Sequence, residues 1–277
     1  MRDLNMPPLR VSAISFLNTA PLMWDFEQGE TARELARHFD LSYTVPSQCA
    51  EQLGEGTADI GIIPVAAYTT IPDLVVVPDV AIAAKNAVRS ILLISKVPVE
   101  KIRNVATDDS SRTSAALVEI FLRKFVGVAP GFSRQEPALK EMLKWHDAAL
   151  LIGDPALQAS TESYYVYDLA EQWRQWTGRP FVFAFWAVRK ASLSQTSREI
   201  DIPRVFQQSR DNGLKHLPEI VSAWAPRLAL PEKLVADYLA ENVDYTLDQE
   251  NLEGLRLFFR YAVECKVLPA APEIHFL

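Results

Sequence analysis

The sequence predicts an α/β protein of two lobes that close like a clamshell, with a cleft between them and two crossings of the chain. Three observations carry this. Strand and helix patterns alternate as far as Ser95, which reads as a largely parallel sheet covered by helices. The alternation starts afresh after Lys96-Val97-Pro98. From Pro203 onward the pattern is helical only, and these helices are expected to pack back on the first lobe. At 277 residues the chain is long for one core and comfortable for two lobes. The expected division is 1–95 plus 190–277 as a discontinuous first lobe and 96–189 as the second. The crossings are then Ser95–Pro98 and Arg189–Ala191, and the cleft is the default binding site.

Arg10 to Phe16 alternates and then runs apolar, as a buried first strand does. Asn18 and Thr19 follow just past its carboxyl end, the edge where open α/β sheets bind ligands. Asn18 reads equally well as a residue that satisfies turn backbone. An aromatic-rich short helix comes next. Glu30 to Phe39 reads as a helix and Ser42 to Val45 as a strand. A helix beginning at Ser47 is ended by Gly54 and Gly56. Ala58 to Val65 is a strand in which Gly61 suggests a close backbone approach. Leu74 to Ala84 and Ser90 to Ser95 supply two more strands.

Val105 to Thr107 is a strand that runs into Asp108-Asp109 and then Ser110-Ser111-Arg112-Thr113-Ser114. A helix over Ser111 to Phe125 follows, with Leu117, Val118, Phe121, Leu122 and Phe125 on one face. Free N–H groups and the positive end of the helix dipole gather at such a start, a ready site for a carboxylate or phosphate. The same run also reads as an ordinary hydroxyl cap, and no Glu or Gln closes a capping box. Pro137 to Trp145 is helical, and Ala148 to Ile152 is a strand ending in Gly153-Asp154-Pro155. Asp154 either caps the following turn or faces the cleft. Tyr164 to Tyr167 is extended. Asp168 to Trp176 is a helix ended by Gly178 and Pro180, and Phe181 to Val188 is an aromatic strand whose rings read as core. Pro231 to Tyr245 and Asn251 to Lys266 are the last two helices.

Composition narrows the function. Apolar content of 49% and charged content of 23% are globular. The longest apolar run, LVVVPDVAIAA, is interrupted by Asp79 and is too short to span a bilayer. A net charge of −7 argues against nucleic acid and against an anionic membrane surface as partners. Cys49 and Cys265 are far apart, so neither a disulfide framework nor metal-ligand spacing is expected. His38, His146, His216 and His275 form no ligand-like pattern. No GxSxG elbow, phosphate loop or dinucleotide fingerprint is present, so neither metal nor cofactor is expected. The start of the sequence lacks signal-peptide features, and the expected location is the cytoplasm.

Several segments, taken together and in order, resemble one family. SFLNTAPL, CAEQLGEGTADIGIIPVAAY, VRSILLISK, DDSSRTSAAL, DAALLIGDPAL, YDLAEQW and TGRPFVFAFWAVRK are similar to the menaquinone-biosynthesis chorismate dehydratases of the futalosine route. The resemblance runs from about Arg10 to Lys190. It implies the two-lobed type II periplasmic-binding-protein fold and the removal of water from chorismate, a small dicarboxylate, to give 3-[(1-carboxyvinyl)oxy]benzoate. It also implies that the substrate's own enolpyruvyl carboxylate takes the proton. Asn18 and Ser90 are then the catalytic candidates. Thr19, Arg89, Ser111, Arg112, Thr113, Ser114 and Asp154 are the substrate-binding candidates, with Ser111 to Ser114 holding a carboxylate. Ser90 also reads as a strand residue beside a hinge, and Arg89 as a surface charge. Lys85-Asn86-Ala87 departs from the family, where a glycine is expected. The alternatives are a 1,4-dihydroxy-6-naphthoate synthase-type enzyme, whose early motif is of a Pro-Cys-Pro-Asn kind, and a small-acid-binding protein without catalysis.

Overall fold

The computed structural model describes residues 7–29, 31–193 and 200–277. The chain opens with β1 (Leu9–Ile14), a 3-10 turn (Leu17–Met23), the short helices α1 (Trp24–Glu27) and α2 (Ala32–Leu35), and β2 (Phe39–Thr44). Then come α3 (Pro46–Glu55), β3 (Ile60–Pro64), a second 3-10 turn (Val65–Thr69) and β4 (Leu74–Ala84). The middle of the chain forms β5 (Ile91–Ser95), β6 (Asn104–Asp108), α4 (Arg112–Ile120), which runs on as a π turn (Phe121–Val126), and β7 (Gly131–Gln135). It continues through α5 (Leu139–Trp145), β8 (Ala148–Ile152), α6 (Gly153–Leu157), β9 (Tyr165–Asp168) and α7 (Leu169–Thr177). β10 (Phe181–Arg189) leads into α8 (Lys190–Leu193), α9 (Ile202–Lys215), α10 (Leu217–Leu228) and α11 (Glu232–Asp237). A π turn (Tyr238–Asn242) extends α11, and α12 (Gln249–Glu264) is last. None of the described helices is long and apolar enough to cross a membrane.

Two five-stranded sheets form the two lobes, in the orders β2-β1-β3-β10-β4 and β7-β6-β8-β5-β9. β1, β2 and β3 run parallel, while β10 is antiparallel to both β3 and β4. In the second sheet β6, β7 and β8 run parallel and β5 is antiparallel to β8 and β9. Both sheets are therefore mixed rather than largely parallel. Strands inside a sheet bury both faces, which is why β3, β8 and β10 read as unbroken apolar runs. Phe185 and Trp186 of β10 are fully buried in the main core.

The crossings lie one strand away from where the sequence places them. β5 bonds to β8 and β9, so it belongs to the second lobe, and the first crossing is between Ala84 and Ile91 rather than at Ser95–Pro98. β10 bonds to β3 and β4, so the second crossing is between Thr177 and Phe181 rather than at Arg189–Ala191. An apolar run reports that a strand is buried, and says nothing of which neighbours bury it. The helix expected over Glu30 to Phe39 shrinks to α2, and Phe39 already starts β2; Glu30 is outside the described residues. The helix expected over Pro231 to Tyr245 ends at Asn242. Asp244 instead exchanges backbone hydrogen bonds with Ala83, 2.8 Å each way.

The helical tail packs on the first lobe and grips both crossings, and α12 also reaches the second lobe, where Tyr261 packs on Phe125 and Trp173 and Glu264 pairs with Lys124. Gly213 of α9 meets the first 3-10 turn so closely that a Cβ there would lie 1.9 Å from the Pro21 carbonyl oxygen. Lys85 pairs with Asp248 at 2.8 Å, and Asn242 Nδ2 donates to the Ala87 carbonyl at 3.0 Å. Gly254 of α12 lies against the second crossing, where a Cβ would stand 2.2 Å from the Pro180 oxygen. Where a glycine is expected near Lys85-Asn86-Ala87, the positive φ falls instead on Arg89, at 63°.

Candidate active site

A small cavity of about 40 Å³ lies between the lobes. Phe16, Asn18 and Phe183 line it from the first lobe, and Ser111, Ser114 and Gly153 from the second. Asn18 is there because β1 ends at Ile14 and the chain folds into a 3-10 turn at the strand's carboxyl edge. Gly153 sits at φ 57° at the end of β8, and a Cβ on it would come within 2.5 Å of the Phe16 ring. The lobes touch there with no room for a side chain.

The start of α4 forms one wall. Ser111 caps the helix, its Oγ accepting the Ser114 N–H at 3.2 Å, and the two hydroxyls meet at 3.2 Å. Asp108 organises the turn before it. Its Oδ1 accepts the Ser110 N–H at 2.9 Å and the Ser110 hydroxyl at 2.5 Å, and its Oδ2 accepts the Ile152 N–H at 3.3 Å. Burial pushes the Asp108 carboxyl above its ordinary value, and the Ser110 bonds oppose that. Two bonds cross the cleft from this turn. Thr113 Oγ1 accepts the Ala66 N–H at 3.0 Å, and the Ser110 carbonyl accepts the Ser47 N–H at 2.8 Å.

A polar cluster at the first crossing lies behind the cavity, and Asn18 is the member of it that reaches the cavity wall. Thr19 is buried and its hydroxyl donates to Asn18 Oδ1 at 3.3 Å. The Leu17 N–H donates to Asp154 Oδ1 at 3.0 Å, across the lobes. Burial raises the Asp154 carboxyl to about 6, with the Leu17 N–H acting against the rise. Ser90 is fully buried; its carbonyl accepts the Gly153 N–H at 2.8 Å, and its Oγ accepts the Tyr238 hydroxyl at 2.9 Å. Tyr238 is itself fully buried, and its oxygen also interacts with the Asn18 side chain.

The structure places Asn18, Ser111 and Ser114 on the cavity wall, while Ser90 and Asp154 lie behind it, bonded to Gly153 and Leu17. Thr19 and Thr113 stand beside it with their hydroxyls already engaged. Arg89 and Arg112 are exposed and do not line the cavity. No lysine or arginine is on its wall, so a bound acid would meet N–H groups and hydroxyls there. Phe183 is buried as the aromatic strand predicts, and it also forms part of the wall. Sequence reasoning missed Tyr238, which lies inside an ordinary helical pattern with no local signal of its partners.

Comparison with known proteins gives the family and the fold. The sequence pattern of the menaquinone biosynthesis family matches residues 9–264. A chorismate dehydratase from Thermus thermophilus is 30% identical over 252 residues, 84% of this chain and 89% of that one. Among solved structures, a protein from Archaeoglobus fulgidus superposes with a TM-score of 0.73 at 12% identity, over 94% of this chain and 98% of that one. The periplasmic aliphatic sulphonate binding protein of Escherichia coli superposes with a TM-score of 0.66 at 18% identity, over 99% and 94% of the two chains. A Candida albicans protein described as having the generic periplasmic binding protein fold gives 0.59 at 13%, over 98% and 99%. These structural likenesses fix the fold as periplasmic-binding-protein-like, and the sequence match fixes the family. The chain belongs to the menaquinone biosynthesis family.

Proposed function

We propose that the protein is a chorismate dehydratase, a hydro-lyase that converts chorismate to 3-[(1-carboxyvinyl)oxy]benzoate and water. The observation that carries this is the match to the Thermus enzyme, which spans both lobes and the cavity between them. The similarity of the motifs to the futalosine-route enzymes supports that route, and the cytoplasm with it.

The reaction removes one ring proton and the neighbouring hydroxyl, and the ring becomes aromatic. Aromatisation supplies the drive, so the protein has to orient the ring and stabilise charge as it develops. The N–H groups and hydroxyls at the start of α4, with Ser111 and Ser114 on the cavity wall, hold one carboxylate. Thr113 supports this wall through its bond to the Ala66 N–H, Thr19 steadies Asn18, and Arg89 and Arg112, exposed outside the cavity, contribute positive charge at a distance only. Asn18 and Ser90 orient the substrate and its departing hydroxyl. The enolpyruvyl carboxylate of the substrate takes the ring proton. Asp154, whose carboxyl is raised to about 6, stands next to a doubly negative ligand at lower electrostatic cost when neutral.

The test is to mix purified protein with chorismate and follow the aromatic product by ultraviolet absorbance. Asn18→Ala and Ser90→Ala are each expected to lower kcat about 100-fold while product affinity changes far less. Chorismate bound without an absorbance change would make the protein a binding module, and full activity in both variants would remove these two residues from the chemistry.

A further inference from the structure

Tyr238 opens the π turn after α11, and π turns are frequently inserted where function needs a side chain re-aimed. This one grips the first crossing at two points. Tyr238 donates its hydroxyl to Ser90 Oγ at 2.9 Å, and Asn242 of the same turn donates Nδ2 to the Ala87 carbonyl at 3.0 Å. The Asn18 side chain interacts with the same phenol oxygen, so Tyr238 stands between the two residues assigned to the chemistry. Its ring is fully buried, and a buried hydroxyl without a partner is costly, so the bond to Ser90 is firmly held. A serine hydroxyl has one hydrogen and two lone pairs. With the Tyr238 hydrogen on one lone pair, the hydrogen of Ser90 has to point elsewhere.

We propose that Tyr238 is a positioning residue for the dehydration: it fixes the Ser90 hydroxyl so that its hydrogen is offered to the departing oxygen of the substrate. This rests on the chorismate dehydratase reading. In the step, the electron pair left by the ring proton forms the new ring double bond, and the carbon–oxygen bond breaks. Ser90 gives a hydrogen bond to the leaving oxygen and keeps its proton. The proton taken by the enolpyruvyl carboxylate ends on that oxygen, and water leaves. Burial raises the Tyr238 phenol well above its ordinary range, so it stays a donor at every working pH.

The experiment compares wild type, Tyr238→Phe, Ser90→Ala and the double variant with chorismate. Tyr238→Phe keeps the ring and removes only the donor. Its kcat is expected to fall about 10–100-fold with KM within about threefold. The double variant is expected to be no slower than Ser90→Ala, because the phenol acts only through Ser90. Replacing Tyr238 by 4-aminophenylalanine restores a donor at the same place and is expected to recover most of the lost rate. Should the Phe variant fail to fold, the folded aminophenylalanine variant decides: near wild-type turnover supports the proposal and inactivity overturns it. Active wild type with Tyr238→Phe within about twofold of it, or losses that multiply in the double variant, overturn the positioning role alone. A wild type that leaves chorismate unchanged overturns the reading of the reaction, and the role of Tyr238 falls with it.

Discussion

Asp154 shows how one residue ties the cleft to solution conditions. Its carboxylate receives a single backbone N–H, that of Leu17, and burial outweighs that bond, so its pKa rises to about 6. A carboxyl whose pKa rises on folding binds its proton more tightly in the folded state than in the unfolded chain. Above pH 6 the buried charge therefore costs stability. As the pH falls through about 6 toward the ordinary carboxylate range, the folded state takes up the proton first and the cost disappears. Asp154→Asn keeps an oxygen for the Leu17 N–H and removes the charge. It is expected to raise the melting temperature by a few degrees at about pH 8, with the gain shrinking to near zero at about pH 4. Thermal melts of both proteins at the two pH values check this. A gain of equal size at both would place its origin in packing instead of charge.

At the scale of elements, the 3-10 turn that carries Asn18 depends on α9. Gly213 lets α9 lie directly on Pro21, and a methyl group at 213 would collide with the Pro21 carbonyl, a backbone atom with little freedom to yield. Gly213→Ala is expected to destabilise the protein by about 1–3 kcal/mol. Because the displaced turn bears Asn18, turnover is expected to drop more than tenfold (~10-fold or beyond) at temperatures where the variant is still folded. Denaturant melts and the chorismate assay on the same sample separate the two effects. Most elements were legible in the sequence, for physical reasons. β4, β8 and β10 are long apolar runs between breakers, and α4 pairs a hydroxyl cap with a helical apolar stripe. β7 escaped notice because it is a half-exposed edge strand with the mixed sequence GFSRQ. The Asn18 and Ser111 walls were legible for the same kind of reason, since strand ends and helix starts declare themselves locally. Tyr238 was not, because its meaning comes from a serine 148 positions away.

For the whole molecule, the cavity volume sets a requirement. About 40 Å³ holds little more than a water molecule's share of liquid, roughly 30 Å³, and is far below the usual size of a small-molecule pocket. A substituted six-membered ring cannot be admitted until the lobes part. Parting at the cavity breaks bonds that span it, among them Ala66 N–H to Thr113, Ser47 N–H to the Ser110 carbonyl, and Leu17 N–H to Asp154, and Gln158 Nε2 to the Leu228 carbonyl also joins the lobes. Each such hydrogen bond contributes only about 0.5–1.5 kcal/mol net. The two crossings, gripped by the helical tail, then act as the axis about which the second lobe swings. A covalent link across the cleft tests this directly. The Ala66 N–H donates to Thr113 Oγ1 at 3.0 Å, which makes these positions neighbours across the cleft, and a cysteine pair there, its closure verified by loss of free thiols, supplies the link. In the double variant Ala66→Cys/Thr113→Cys, oxidation is expected to abolish turnover at least tenfold (~10-fold or more), because the closed cleft excludes chorismate. Adding dithiothreitol is expected to restore the rate of the reduced variant, with Thr113→Cys alone unaffected by either treatment. Equal turnover of the oxidised and reduced forms would mean that the substrate reaches the Ser111 and Asn18 walls without separation of the lobes.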